Sequence, residues 1–348
     1  MLRPRSHIFA FAVAVLICVA LYSVHVQRSH RMAENLRLER EYLDWDWQDT
    51  PDEIACQNPA VEATESALES IPRVVHFVII SDHGREAELE FYQYLAIKAA
   101  LLRINPDSVK IHSYGFNTSN TWWQAVKHRA TLVLHDPKPT LTIADGHTYK
   151  LRLSHQTDLL RLEILYQEGG IYLDSDVYAL RPFTPLLQSP KNVLMGHEGG
   201  GRNGLGNAVI VARQGSAFIG KWLAAYYESF DNRPQMWNHH SVIVPSQLAA
   251  SFSEDICKLS PSAFFWPTWS QDHIESMHSP LFADSEDAIT LKTNMSRFGG
   301  AMYHNQLAYH AWGNLARAKY LSKLRPKALF DVETRFNILL REIYLTEI

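Results

Sequence analysis

The sequence predicts an α/β domain over residues 71–348, on three observations. The apolar, β-branched run Val74-Val-His76-Phe-Val-Ile-Ile80 ends in the turn cluster Ser81-Asp-His-Gly84, the pattern of a buried strand. Residues 87–104 then carry Leu89, Tyr92, Leu95, Ala96, Ala99, Ala100 and Leu102 at helical spacing and stop before Asn105-Pro106. Val109-Lys-Ile-His-Ser-Tyr114 returns to a strand pattern. Strand, helix and strand in succession imply a βαβ unit, and hence a parallel sheet flanked by helices. Thr131-Leu-Val-Leu134 reads as a further short strand and 137–150 as loop. The stretch 193–248 is mixed, with strand-like Ala208-Val-Ile-Val211 and helix-like 217–230. No internal repeat follows residue 70, so the remainder is read as one domain.

At 348 residues, 46% of them hydrophobic, the chain can bury a full core. Its formal charge of −4 and pI near 6.5 give no basic surplus for phosphate backbones, which excludes a nucleic-acid reader. Residues 8–26 are apolar almost throughout. As a helix they rise about 28 Å, close to the roughly 30 Å hydrocarbon core of a bilayer. Arg3 and Arg5 before this stretch nearly balance Arg28 and Arg31 after it, so charge alone does not orient it. Cys18-Val-Ala20 also offers small residues for signal cleavage, and anchor and cleaved signal both stand as readings. Either one exports the rest of the chain. The expected organisation is therefore a cytoplasmic tail (1–7), a transmembrane signal-anchor (8–26), a charged stem (27–70) and the α/β domain, in a type II protein of the Golgi or ER membrane. The sequons Asn117-Thr-Ser119 and Asn294-Met-Ser296 agree with that compartment. Cys56 and Cys257 form one disulfide or remain two buried thiols.

The densest chemical signal lies between His155 and Val177: His-Gln-Thr157-Asp158-Leu-Leu-Arg161, later Gly169-Gly170-Ile-Tyr-Leu-Asp174-Ser-Asp176. Thr157 is expected to cap a helix, Leu160, Ile164 and Leu165 to form its buried stripe, and Gly169-Gly170 to end it. Ile171-Tyr-Leu173 then forms a strand that delivers two aspartates at its C-terminal end, where open α/β sheets bind ligands. Asp-x-Asp suits a diphosphate, because a hard divalent cation prefers oxygen ligands and keeps positions open for phosphate oxygens. Asp158 and Arg161 share a helix face, the first suited to hydroxyls and the second to phosphate or sugar oxygens.

Asp158, Leu160-Arg161, Tyr166, Gly169-Gly-Ile-Tyr-Leu-Asp174 and Asp176 together resemble the sugar-binding region of DxD glycosyltransferases, in particular family 32, with fungal α-mannosyltransferases among its members and clostridial toxin glucosyltransferase domains as distant relatives. The resemblance implies a GT-A fold, a Rossmann-like mixed sheet flanked by helices. It also implies a nucleotide-sugar donor, Mn²⁺ or another divalent cation, and transfer with retention of anomeric configuration. Asp174 would face the ribose or donor sugar and Asp176 the metal, with Asp158 and Arg161 on the sugar. Ile71-Pro-Arg-Val-Val-His76 resembles the family's opening segment, so His76 would line the nucleotide pocket.

Nearer the C-terminus, His310-Ala-Trp312 is similar to the family's late His-x-Trp segment. His310, and less strongly His304, would supplement the metal ligands, and Trp312 would shield the diphosphate from water. Asn207, before Ala208-Val-Ile-Val211, would contact donor or acceptor. Where relatives carry a Thr-Gly-Pro-like turn this chain has Trp237-Asn-His-His240-Ser-Val242, which leaves the acceptor side unassigned. Gly199-Gly-Gly-Arg202 is too irregular for a phosphate-binding loop and reads as a mobile loop, with Glu198 beside it. The reading is thus a membrane-anchored hexosyltransferase, using GDP-mannose or a UDP-linked hexose and acting on a glycan or glycolipid acceptor. The competing reading is a non-catalytic, metal-dependent carbohydrate-binding protein using the same carboxylates, which would bind sugar without nucleotide.

Overall fold

The structure, a computed structural model, describes residues 17–26, 48–57, 71–81, 85–202, 204–233 and 236–348. The chain divides into two compact units, Met1–Asp44 and Trp45–Ile348. In the first, residues 17–26 are helical and their side chains exposed. Residues 1–16 lie outside the described residues, and with them the expected tail and much of the expected membrane span. Among the described residues no helix is long and apolar enough to cross a membrane.

The second unit is built on a seven-stranded mixed sheet. Its strands are β1 (Val74–Val78), β2 (Ser108–Ser113), β3 (Ala130–Leu134), β6 (Gly170–Leu173), β8 (Val193–His197), β9 (Leu205–Ala212) and β10 (Ile256–Leu259). They lie in the order β10-β8-β9-β6-β1-β2-β3. β6, β1, β2 and β3 run parallel, β9 is antiparallel to β6 and β8, and β10 is parallel to β8. Two small sheets complete the set: the hairpin β4 (Thr140–Thr142) with β5 (Thr148–Lys150), and β7 (Val177–Ala179) antiparallel to β11 (Ala308–His310).

Both faces of the central strands β1, β6, β8 and β9 are buried, so these strands are mostly apolar. Ile171, Leu173, Val209 and Val211 join one core, and Tyr172, Ile210 and Ala212 the other. The first core is covered by α2 (Phe91–Arg103), itself wrapped by α5 (Arg335–Leu345), which is why α2 is buried almost all round. The second is covered by α3 (Leu153–Glu168) and α4 (Ala217–Ser229).

The structure departs from the sequence expectations at three places. Residues 137–150 are not simply loop: they hold the β4/β5 hairpin around Asp145-Gly146, Gly146 taking φ 88°. Thr157 does not cap α3, which starts four residues earlier; its hydroxyl donates back to Leu153 O at 3.1 Å. The body also begins before residue 71. Within the expected stem, α1 (Pro51–Gln57) is part of the second unit, tied to β10 by a disulfide between Cys56 and Cys257. Gly169 ends α3 as expected, at φ 66° and ψ −160°, a conformation nearly confined to glycine. A Cβ there would meet Gln214 N at 2.5 Å.

Candidate active site

Because β6 runs parallel to β1, β2 and β3, its last residue opens onto the C-terminal edge of the sheet. Asp174 stands there, its backbone N–H still donating to Ala208 O at 2.8 Å. The chain then turns through Ser175, whose hydroxyl accepts from Gln93 Nε2 of α2 at 3.0 Å. β7 follows at once, and its pairing sets His310 of β11 opposite Val177, against the second aspartate. His310 Nε2 lies 3.2 Å from Asp176 Oδ2, and the Gly313 N–H donates to the same oxygen. Asp174, Asp176 and His310 each offer one ligand atom, all within 4.8 Å of one another. Two carboxylate oxygens and an imidazole at this spacing fit a divalent cation.

Burial alone would raise the Asp176 pKa, but His310 and the Gly313 N–H hold the carboxyl below its usual value. For His310 burial works downward, and the Asp176 charge overcomes it, so the imidazole titrates above its usual value. The chain reaches Gly313 through Trp312, held in the left-handed region at φ 55°. A Cβ on residue 313 would sit 2.8 Å from Asp176 Oδ2, so a side chain there would push that carboxylate out of place. The Trp312 indole donates to Pro267 O at 2.9 Å, and its ring lies 4.3 Å, centroid to centroid, from that of His310.

A second network adjoins the first. Arg161 is only 4% exposed. Its Nη2 lies 3.2 Å from Asp158 Oδ1 and its Nη1 3.2 Å from Asp174 Oδ1. Nη1 also donates to Asn207 O at 2.6 Å, and the guanidinium covers the Tyr172 ring at 4.5 Å. Asn207 Nδ2 donates to Asp158 Oδ1 at 2.8 Å, and Tyr172 OH to Asp174 Oδ1 at 2.7 Å. Both contacts to Asp174 fall on Oδ1, which leaves Oδ2 for a ligand. Burial opposes the charge on Arg161, yet Asp174, Tyr172 and Asp158 hold its pKa above the usual value. Burial pushes the Asp158 carboxyl upward, with Arg161 pulling the other way.

The structure thus brings Asp158, Arg161, Asp174, Asp176, Asn207, His310 and Trp312 into two linked groups. His304 is not in them; its ring lies 6.5 Å from that of Phe298. Nor is His76, expected at the nucleotide. Its imidazole is fully buried on the α3 side of β1, with Nε2 3.1 Å from Gly169 O, at the opposite end of β6 from Asp174. A carbonyl only accepts, so Nε2 carries the proton and Nδ1 accepts from His112 Nε2 at 3.0 Å. His112 Nδ1 in turn accepts from His135 Nε2 at 2.8 Å. Burial pushes His76 down to about 4 and His112 to about 2, so these imidazoles are neutral, and the chain links β1, β2 and the residue that follows β3.

Sequence reasoning missed Tyr172, Gly313 and Gln93. Tyr172 was recoverable, since two residues before Asp174 in a strand is the same face; Gln93 arrives from another element and leaves no local signal. It also missed His155, Tyr226 and His240, all buried, with the Tyr226 hydroxyl within hydrogen-bonding reach of the Asp158 carboxylate. Burial and the Asp158 charge raise the Tyr226 pKa, which puts this polar cluster next to Asp158.

Strand-end carboxylates beside an imidazole are the arrangement expected of a DxD glycosyltransferase, a class that uses a divalent metal and a nucleotide-sugar donor. Sequence similarity narrows this further. Residues 60–194 match the glycosyltransferase sugar-binding region containing DXD motif. A protein named Glucan organizing enzyme 1, from Cryptococcus neoformans var. grubii, is 34% identical over 281 residues, spanning 78% of this chain and 70% of the relative. An uncharacterized Arabidopsis thaliana protein is 24% identical over 179 residues, 49% of this chain and 26% of that one. Among solved structures, the PaToxG glycosyltransferase aligns at 15% identity and TM-score 0.39, over 65% of this chain and 80% of its own. The chain belongs to the glycosyltransferase family with the DXD sugar-binding region.

Proposed function

We propose that this glycosyltransferase has a GT-A catalytic domain and transfers a hexose, with retention, from GDP-mannose or a UDP-linked hexose to a glycan or glycolipid acceptor. The observation that carries the proposal is the convergence of Asp174, Asp176 and His310 beside the Arg161 network at the C-terminal edge of the sheet. Asp176, His310 and Asp174 would hold the cation, taken as Mn²⁺, which would supply charge neutralisation for the departing diphosphate. Gly313 and His310 fix Asp176 Oδ2, so the carboxylate is aimed before substrate arrives. Arg161 holds Asp158 and Asp174 in place; Asp158 orients sugar hydroxyls and Asp174 the ribose or sugar. Trp312 walls His310 from water. The acceptor hydroxyl attacks from the face the diphosphate leaves, and its proton passes to a phosphate oxygen. Retention rests on the resemblance of the motif run, and the glycan acceptor draws support from the name of the fungal relative.

We place the catalytic domain in the lumen of the Golgi or ER, on a single N-terminal anchor over residues 8–26. The apolar stretch, the sequons at the partly exposed Asn117 and Asn294, and a disulfide that persists only in oxidising compartments favour this.

The test is release of nucleoside diphosphate by the full-length chain across a panel of UDP- and GDP-sugars. Turnover of one donor, lost with chelator and restored by Mn²⁺, is expected. Ca²⁺-dependent glycan binding with no turnover of any donor would instead establish the carbohydrate-binding reading.

A further inference from the structure

The segment 48–57, which includes the short helix α1, contacts two elements that lead into the site, from a part of the chain that sequence assigns to a stem. Glu53 on α1 is 1% exposed, and its carboxylate is ion-paired with Arg202. Arg202 Nη2 also donates to Gln48 O at 3.4 Å, so the guanidinium is gripped along the segment. Arg202 stands in the turn that leads from β8 into β9, its N–H donating to Gly199 O at 3.1 Å and its φ at 54°. β9 carries Asn207, which bonds both Asp158 and Arg161. On the other side Asp49 Oδ1 accepts from Asn305 Nδ2 at 2.8 Å, and Ser262 Oγ donates to Asn305 Oδ1 at 2.6 Å. Asn305 precedes β11, the strand that delivers His310. The disulfide from Cys56 to Cys257 fixes α1 to the sheet between these two contacts.

The need for a buried carboxylate explains the arrangement. A carboxylate at 1% exposure is costly without a cationic partner, so the ion pair couples Arg202 to Glu53, whose other oxygen accepts from the Thr50 N–H at 2.8 Å. A turn bearing a residue at positive φ is strained and holds its shape only when its surroundings over-determine it. The Glu53 contact supplies that determination from outside the sheet.

We propose that residues 48–57 form a strap in which Glu53 and Asp49 are positioning residues, Glu53 setting the β8–β9 turn and hence Asn207, Asp49 setting the approach to His310. The proposal rests on the transferase reading above. Neither residue touches substrate; each acts through the element it holds.

The experiment measures kcat, donor KM and thermal unfolding of the full-length chain for wild type, Glu53→Gln, Asp49→Asn and the charge-reversed pair Glu53→Arg/Arg202→Glu. A misplacement of about 1 Å can cost on the order of a hundredfold, so Glu53→Gln is expected to lower kcat by about tenfold or more while the chain stays folded at the assay temperature. Asp49→Asn keeps the shape and is expected to lower kcat less. Charge reversal, which restores the pair, is expected to recover most of the loss. Wild-type kcat in folded Glu53→Gln and Asp49→Asn would overturn the strap while leaving the transferase reading intact. So would a fall in kcat that follows only the unfolded fraction and is not recovered by charge reversal. An inactive wild type would overturn both.

Discussion

Replacing Asp176 with asparagine is expected to lower kcat by roughly 10²–10³-fold, the loss seen when one electrostatic contact to developing charge is removed. Asparagine keeps the shape of the side chain and an oxygen for the Gly313 N–H, so the β7–β11 junction is expected to survive. What is lost is the negative charge within the Asp174, Asp176 and His310 group. The check is steady-state donor turnover beside thermal unfolding. The expected result is a collapse of kcat with a shift of only a few degrees in the unfolding temperature, roughly the effect of 1 kcal/mol in a domain of this size.

Replacing Arg161 with alanine is expected to cost about 3–5 kcal/mol of stability together with activity, because it leaves partner charges buried and unpaired. Asp158 and Asp174 would both lose the guanidinium that lies 3.2 Å from each, and the Asn207 carbonyl would lose its donor. Arg161→Lys restores one charge but not the fork that spans both carboxylates, so it is expected to recover part of the stability and little of the activity. Denaturant unfolding of the three proteins measures the first effect and donor turnover the second.

Much of this site was legible from residues alone. Asp158 and Arg161 one turn apart on α3, Gly169 ending that helix and two aspartates at a strand's end all follow from local rules and all stand where those rules put them. His310 was reached through resemblance, not spacing, because its position depends on the pairing of β11 with β7 across more than a hundred residues. His76 shows the limit of strand reasoning. In a strand buried on both faces, nothing in the pattern says whether a polar side chain serves a ligand or, as here, hydrogen-bonds to its neighbours. The strap was hidden for a related reason. Its segment is charged and carries no long apolar period, and its place is fixed by a disulfide and a buried ion pair, both contacts between distant parts of the chain.

The central claim is that Asp174, Asp176 and His310 hold a divalent cation that engages the donor diphosphate. Its most direct test is Mn²⁺ binding to the full-length chain, followed by the electron paramagnetic resonance signal of the free ion, with and without the nucleoside diphosphate of the donor. One ion per chain is expected, held more tightly when the diphosphate is present, with no such binding in the Asp174→Ala/Asp176→Ala variant. Equal stoichiometry and affinity in wild type and variant would contradict it.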